Sequence, residues 1–174
     1  MNWFDSINHA LTTMPTGGFS THDASIGHYQ SYTVELIIIL FMFIGGINFT
    51  LLWFIREGEF KKATQDEEFK NYIVYILTTF LFITIALFAT RDYSTPDTFI
   101  DSLFHVVSIG TSTGYTSTDY MQWPVVTHLF LFVLMIVGAS AGSTSGGLKL
   151  LRVNLAFKVA MRELVRIAQP RKIK

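Results

Sequence analysis

"TTMPTGGFST" at residues 12–21 and "GTSTGYTST" at residues 110–118 are uncharged stretches rich in Gly, Thr and Ser, and both border very apolar sequence. Such a stretch, taken alone, is typical of an ordinary turn between helices. At membrane depth, however, backbone outside a helix is tolerated only where it is buried in protein or lines a watery cavity. Two such loops beside membrane spans therefore raise the possibility of a polar passage.

The composition of the chain indicates a membrane protein. Of the 174 residues, 50% are hydrophobic, 16 are Phe and only 15% are charged, whereas about 25% charged is usual in soluble domains. The absence of Cys excludes a disulfide framework. A helix needs about 20 apolar residues to cross a bilayer. We predict three spans in the long uncharged stretches, which are residues 36–55, 71–90 and 120–148.

The charges predict how the chain is oriented in the lipid bilayer. Residues 149–174 contain eight of the 13 basic residues and one of the 13 acidic residues. A basic segment directly after an apolar one indicates a cytoplasmic end, and we favour this interpretation over nucleic-acid binding. We therefore predict a multi-pass protein of the inner (plasma) membrane with a cytoplasmic C-terminus. Both Gly/Thr loops then lie on the external side.

An internal repeat places the two loops in equivalent positions. With an offset of 96, residues 5–23 align without a gap on residues 101–119, and five of the 19 positions are identical. Each copy is predicted to contain a short re-entrant helix, a polar loop and a span, with the short helices beginning near Asp5 and Asp101. Two loops in register favour a specialised role over ordinary turns.

The loops suit an ion filter made of backbone carbonyls and Thr hydroxyls. Gly18 and Gly114 can adopt positive φ values that turn a carbonyl towards an axis. The partly negative C-terminal ends of the short helices favour a cation, and we expect no enzymatic activity. The candidate filter residues are Thr16, Gly17, Gly18, Phe19, Ser112, Thr113, Gly114 and Tyr115. Asp23 and Asp119 are candidates for holding cations at an outer mouth.

The order of span, pore helix, filter loop and span resembles the K⁺-transporting membrane subunits of the Trk/Ktr/HKT superfamily. "TGGFST" and "STGYTS" resemble its filter loops, and "GASAGSTSGGLKLLR" (residues 138–152) resembles the broken last helix of TrkH-type subunits. The resemblance implies an all-α integral membrane fold with about three transmembrane helices and two re-entrant pore helices. It also implies four repeats around one pore, of which this chain resembles the third without its first span and all of the fourth. We therefore expect the C-terminal part of a longer reading frame.

This organisation predicts four regions. They are a partial pore repeat at 1–56, a cytoplasmic connection at 57–70, a complete pore repeat at 71–160 and a basic cytoplasmic tail at 161–174.

The resemblance also implies a gate below the filter, where both spans are broken. The candidate gate residues are Gly45, Gly46, Asn48, Gly146, Gly147, Lys149 and Arg152. The Gly and Ser residues could instead form a close helix-packing face, and the two basic residues could mark the membrane boundary. We expect Lys149 and Arg152 to share a helix face because they are three apart, with Arg152 the first choice for a positive gate residue.

The predicted function is K⁺ transport across the plasma membrane, with K⁺ as the transported ion and no other cofactor. The resemblance implies three kinds of protein partner: the remaining repeats, a second copy of the full subunit in a homodimer, and a cytoplasmic nucleotide-binding regulatory subunit of the TrkA type. A non-transporting fragment or assembly subunit is one alternative. A secondary transporter of another class is the other, but its repeats are commonly inverted, whereas these run in the same orientation.

Overall fold

The computed structural model describes residues 1–90 and 96–168, and the regular elements in these ranges are helical. The predicted tail therefore lies partly outside the described residues, at 169–174, as does a short part of the predicted external segment, at 91–95. The α-helices are α1 (Trp3–Thr13), α2 (Tyr32–Gly45), α3 (Phe49–Arg56), α4 (Phe60–Gln65), α5 (Glu67–Phe88), α6 (Pro96–Gly110), α7 (Val125–Val137) and α8 (Leu150–Ala168). Short 3₁₀ turns occupy Ser25–Tyr29 and Tyr120–Gln122.

Among the described helices, only α5 is by itself long and apolar enough to cross a membrane. Its 22 residues begin after Asp66, whose side chain accepts a hydrogen bond of 2.8 Å from the backbone N–H of Phe69. Helices α2 and α3 pass the same test only as a pair, because they are bent by 104°. The apolar helix α7 has 13 residues, so the predicted span 120–148 is not a continuous helix.

The bend between α2 and α3 has a local cause. Helix α2 ends at Gly45, and the first break, residues 46–48, follows it. The side chain of Asn48 then accepts a hydrogen bond of 2.9 Å from the N–H of Thr50 and caps the start of α3. An Asn at this position satisfies a donor that a new helix leaves free, so the chain restarts in another direction.

The second break, residues 138–149, is much longer than the first. Gly138, Gly142 and Gly147 have φ values of +69°, +68° and +77°, which lie in the left-handed region that Gly enters readily. A right-handed helix cannot continue through such residues. The Gly-rich segment is therefore irregular over its whole length rather than bent at one point.

Helix α6 lies at the centre of the fold and packs against α2, α5 and α7. Its side chains Phe104, Val106 and Val107 are fully buried. It begins at Pro96, five residues before the start predicted near Asp101. Helix α1 packs against α2 and begins at Trp3, because the Asn2 side chain accepts the N–H of Asp5 at 2.8 Å.

The outer surface is strongly apolar. On α5, the side chains of Leu77, Leu81, Phe82 and Ile85 are each more than half exposed. Contiguous apolar surface of this extent is rare on soluble monomers. Together with the uncharged spans, it fits a protein surrounded by lipid.

Candidate ion filter and gate

The loop after α1, called loop A here (residues 14–21), folds back onto the end of that helix. The N–H groups of Gly17 and Gly18 both donate to the carbonyl oxygen of Thr12, at 2.8 and 3.2 Å. Thr16 and Gly18 have positive φ values of +53° and +68°, whereas the φ of Gly17 between them is not positive. Alternation of this kind brings successive N–H groups to one side of the chain.

The loop after α6, called loop B (residues 111–118), has the same geometry. The N–H groups of Thr113 and Gly114 both donate to the carbonyl oxygen of Ser108, at 2.8 and 3.2 Å. Ser112 and Gly114 have φ values of +59° and +86°. The repeat predicted from the sequence thus extends to individual backbone hydrogen bonds, and the positive φ expected at both Gly residues is present.

The carbonyl groups of the two loops are left without donors. In a trans peptide the C=O points opposite to the N–H of the next residue, so the carbonyls at 16, 17, 112 and 113 point away from the helix ends. Across residues 16–18 and 112–114, no carbonyl oxygen accepts a hydrogen bond from the described part of the chain. Gly17 and Gly114 are exposed, and Gly18 and Ser112 are partly exposed, so a ligand from outside the described residues can reach this segment. These six oxygens therefore form an acceptor-only surface suited to a cation.

Loops A and B touch each other directly. A Cβ built on Gly18 would lie 1.8 Å from the carbonyl oxygen of Thr113, so no larger residue fits there without movement. Beyond the loops, the N–H of Gly27 donates to the carbonyl of Thr116 at 3.1 Å. These contacts hold the two loops side by side.

The two aromatic residues of the predicted filter differ in their surroundings. The Phe19 side chain is 75% exposed, whereas Tyr115 is 1% exposed and reaches across to loop A. The sequence aligned these residues, but the structure gives them different neighbours. Thr16 is buried, and its hydroxyl donates to the carbonyl of Pro15 at 2.7 Å.

Each loop is hydrogen-bonded to an Asp side chain of the helix that precedes it. The hydroxyl of Thr21 donates to Asp5 at 2.7 Å, and that of Ser117 donates to Asp101 at 2.7 Å. The Thr21 bond is the largest influence that lowers the pKa of Asp5. Burial is the largest influence on Asp101 and raises its pKa.

The predicted outer-mouth residues are not equivalent. The Asp119 carboxylate accepts from the N–H of Met121 at 3.1 Å and from the amide of Gln122 at 2.9 Å, so it caps a 3₁₀ turn. The Asp23 side chain is exposed and makes no hydrogen bond to the described residues. Of the two, only Asp23 has a carboxylate that accepts no hydrogen bond from the described residues.

The end of α2, directly before the first break, lies against loop A, as does Thr144 of the second break. A Cβ on Gly45 would lie 3.0 Å from the carbonyl oxygen of Met14, and the Thr144 hydroxyl lies 3.1 Å from the same oxygen. On the other side, a Cβ on Gly46 would meet the hydroxyl of Tyr72 at 2.4 Å. The close packing explains why small residues stand at these positions.

The backbone of the second break is hydrogen-bonded to the first break and to the residues that flank it on either side. The N–H of Ser140 donates to the carbonyl of Gly46 at 3.2 Å, and the N–H of Thr144 donates to that of Gly45 at 3.2 Å. In the opposite direction, the N–H of Phe49 donates to the carbonyl of Gly142 at 3.1 Å. The predicted gate residues of both spans, apart from Arg152, thus belong to one hydrogen-bonded unit or border it.

The prediction that Lys149 and Arg152 share a helix face is wrong. Lys149 has a φ of +71° and precedes α8, which begins at Leu150. Its Nζ donates to the carbonyl oxygens of Ser143 and Ser145 within the second break. The Arg152 side chain is exposed.

The sequence analysis missed the structural role of Glu68. It was assigned to the charged connection, but it lies in the first turn of α5, is buried, and accepts the N–H of Ala141 at 2.5 Å. This carboxylate thus holds the second break at Ala141, whereas Lys149 bonds to its carbonyls at Ser143 and Ser145. Its helical period could have placed it on the buried face of α5 with Tyr72 and Ile76.

Comparison with known proteins gives consistent matches over the whole chain. The family model of TrkH, described as a cation transport protein, matches residues 1–174. The "Trk system potassium uptake protein TrkH" of Halomonas elongata is 38% identical over 173 residues, which is 98% of this chain and 36% of that protein. The protein of the same name from Escherichia coli K12 is 38% identical over 172 residues, with 98% and 36% covered.

A solved structure also matches. The crystal structure of the potassium transporter TrkH from Vibrio parahaemolyticus superposes with a TM-score of 0.93 at 38% identity, covering 100% of this chain and 38% of that one. The fold of the described residues is therefore the fold of a part of that transporter. The chain spans little more than a third of the length of these relatives.

Proposed function

We propose that this chain, which belongs to the TrkH family of cation transport proteins, supplies two filter loops of a K⁺-transporting pore. The observation that carries the proposal is the set of carbonyl oxygens at residues 16–18 and 112–114, none of which accepts a hydrogen bond from the described residues. Carbonyl rings of this kind replace the hydration shell of a cation. The relatives are named as potassium uptake proteins, which favours K⁺ as the ion.

The contacts at the edges of the two loops support a ring with further members. The Cβ position of Gly18 faces loop B, whereas that of Gly114 has no described atom within 4 Å. At the opposite edge, Tyr115 packs against loop A, whereas Phe19 of loop A is exposed. Loops A and B thus behave as neighbours in a ring whose outer edges remain open. A ring of four, as the resemblance implies, would cover both edges.

An apolar groove beside α1 supports the proposal that the complete transporter has an additional membrane span at this position. In the second repeat, α5 covers α6 and α7: Thr84 bonds to Ser102 at 2.8 Å and Phe82 stacks on Phe130. In the first repeat, the equivalent groove between α1 and α2 has a volume of about 350 Å³ and is lined mainly by apolar side chains. No described helix covers it. A span equivalent to α5, contributed by the rest of the transporter, would fit this position.

The two breaks are proposed as a gate on the inner side of the filter. They lie next to loops A and B, they are held by Glu68 and Lys149, and their residues are largely irregular. Irregular backbone at this depth is expected where it borders a passage. Movement of this unit away from the axis would admit the ion.

The orientation and the partners follow from charge and from the resemblance. The basic C-terminal segment supports a cytoplasmic C-terminus in the inner membrane. Asp23 then lies at the outer mouth, where its carboxylate would attract cations. A cytoplasmic nucleotide-binding subunit of the TrkA type and a second copy of the full subunit remain the proposed partners.

A chimeric transporter tests the function. The matched segment of V. parahaemolyticus TrkH is replaced by residues 1–174, and Rb⁺ uptake is measured in cells that lack their own K⁺ uptake systems. We expect uptake that external K⁺ competes away. A chimera that reaches the membrane at the parental level without uptake would contradict the proposal and favour a non-transporting assembly role. Uptake of another solute in place of Rb⁺ would favour a secondary transporter.

A further inference from the structure

The hydroxyl of Tyr115 belongs to loop B but lies against loop A. Its oxygen is 2.6 Å from the Thr12 hydroxyl, 3.3 Å from the carbonyl oxygen of Phe19 and 3.4 Å from the Thr13 hydroxyl. The side chain is 1% exposed. A buried Tyr hydroxyl needs a hydrogen-bond partner, and here the partners belong to the end of α1 and to loop A.

The available protons define the direction of these bonds. Thr13 lies 2.5 Å from the carbonyl oxygen of His9 and gives its single proton to that acceptor. Because the Thr12 hydroxyl has carbonyl acceptors for its own proton, we assign Tyr115 as the donor across the 2.6 Å contact with Thr12. Thr12 then donates its own proton, for which the carbonyl oxygens of Asn8 and Phe19 lie 2.8 and 2.9 Å away. Tyr115 is therefore connected to the end of α1 through Thr12 and to the backbone of loop A through the Phe19 carbonyl oxygen.

The same residue is also fixed within its own loop. The hydroxyl of Ser108 donates to the carbonyl oxygen of Tyr115 at 2.7 Å. The backbone of Tyr115 is therefore held by the end of α6, while its side chain holds the end of α1. Phe19, the equivalent residue of loop A, has no hydroxyl and cannot form such a bond.

We propose that the Tyr115 hydroxyl positions loop A and thereby determines the preference of the filter for K⁺ over Na⁺. This inference rests on the proposed function. Tyr115 is a positioning residue here, because its hydroxyl acts through Thr12 and the Phe19 carbonyl and does not touch the ion. Selection between the two ions depends on where the carbonyl oxygens are held and how firmly, so loss of the bond should change selectivity before it changes folding.

The experiment measures Rb⁺ and Na⁺ uptake by the chimeric transporter with Tyr115→Phe, Thr12→Val, Thr12→Ser and the double variant Tyr115→Phe/Thr12→Val. Tyr115→Phe should lower the Rb⁺/Na⁺ ratio by roughly two- to tenfold, the range expected for one net hydrogen bond. Thr12→Val should lower it at least as much, the double variant no further than Thr12→Val, and Thr12→Ser should retain the ratio. Tyr75→Phe is the matched control, because it removes a Tyr hydroxyl that bonds weakly to Val133 at 3.5 Å, between α5 and α7.

Membrane levels measured by immunoblot separate folding from selectivity. An unchanged ratio in Tyr115→Phe, with a selective parent, overturns the inference and leaves the proposed function intact. Additive losses in the double variant also overturn it, since the two hydroxyls would then act independently. A parent that shows no selective uptake overturns the inference together with the proposed function.

Discussion

Replacing Gly18 with Ala would place a methyl group where the two loops meet. The new Cβ would lie 1.8 Å from the carbonyl oxygen of Thr113 and 2.8 Å from its carbon. Ordinary contacts begin near 3.4 Å, so one loop must move by about 1.6 Å. Both clashing atoms belong to the backbone, which cannot rotate away as a side chain can.

The φ of +68° at Gly18 adds a second cost. A residue with a Cβ is disfavoured in the left-handed region by about 1–2 kcal/mol, and each 1.4 kcal/mol corresponds to a factor of ten. Strain alone therefore disfavours the native loop by about 5- to 30-fold. With the displacement added, we expect Gly18→Ala to lower the Rb⁺/Na⁺ uptake ratio of the chimeric transporter by about tenfold or more.

Two other Gly residues provide matched comparisons. At Gly17 the nearest contacts of a Cβ are 3.5 Å and the φ is not positive, so Gly17→Ala should keep the ratio within about twofold. Gly114 has a φ of +86° but no described neighbour within 4 Å. In a complete ring it faces another loop, and Gly114→Ala should then be as damaging as Gly18→Ala.

Uptake of both ions is measured at equal membrane protein levels. A normal ratio in Gly18→Ala would show that the contact between the loops does not control selection, and the reasoning from the carbonyl surface would fail. A small change in the ratio for Gly114→Ala, together with a large change for Gly18→Ala, would instead contradict the proposal that a further loop packs against Gly114.

Two further predictions concern the breaks. Glu68→Gln replaces a charge-assisted hydrogen bond to the second break by a neutral one of about half the strength. This variant should raise basal Rb⁺ uptake by about fivefold without changing the Rb⁺/Na⁺ ratio. Glu67→Gln, at the exposed neighbouring residue, is the control and should have no measurable effect. Equal uptake in both variants would remove Glu68 from the gate. Lys149→Met removes the ammonium group that bonds to the carbonyls of the second break, whereas Arg152 is exposed. Lys149→Met should therefore raise basal Rb⁺ uptake more than Arg152→Ala does. A larger increase in Arg152→Ala would support Arg152 as the gate residue, as the sequence analysis predicted.

Local patterns in the sequence predicted much of the architecture. The uncharged runs located α2 with α3, α5 and α7, and the 96-residue offset aligned Gly18 with Gly114, which share positive φ. These features depend on residues close together in the chain or on copies of the same pattern. Periodicity and repeats report such features directly.

Contacts between residues that are distant in the chain could not be predicted from such patterns. Tyr115 and Thr12 are 103 residues apart and Glu68 and Ala141 are 73 apart, and no period relates either pair. The length of the second break was also not predictable, because a run of Gly and Ser is compatible with a packed helix as well as with an unwound one. The positive φ of Lys149 removed it from the helix face that spacing alone had assigned.

The backbone bonds around the two breaks have a consequence for how the proposed gate would open. Three main-chain hydrogen bonds join the second break to residues 45–49, and at about 0.5–1.5 kcal/mol each their loss costs about 1.5–4.5 kcal/mol. A state with one break displaced and the other in place would then be present in about one molecule in ten to one in two thousand. Single-molecule recordings should accordingly show one concerted step of conductance, and substitutions of side chains alone should not divide it into two.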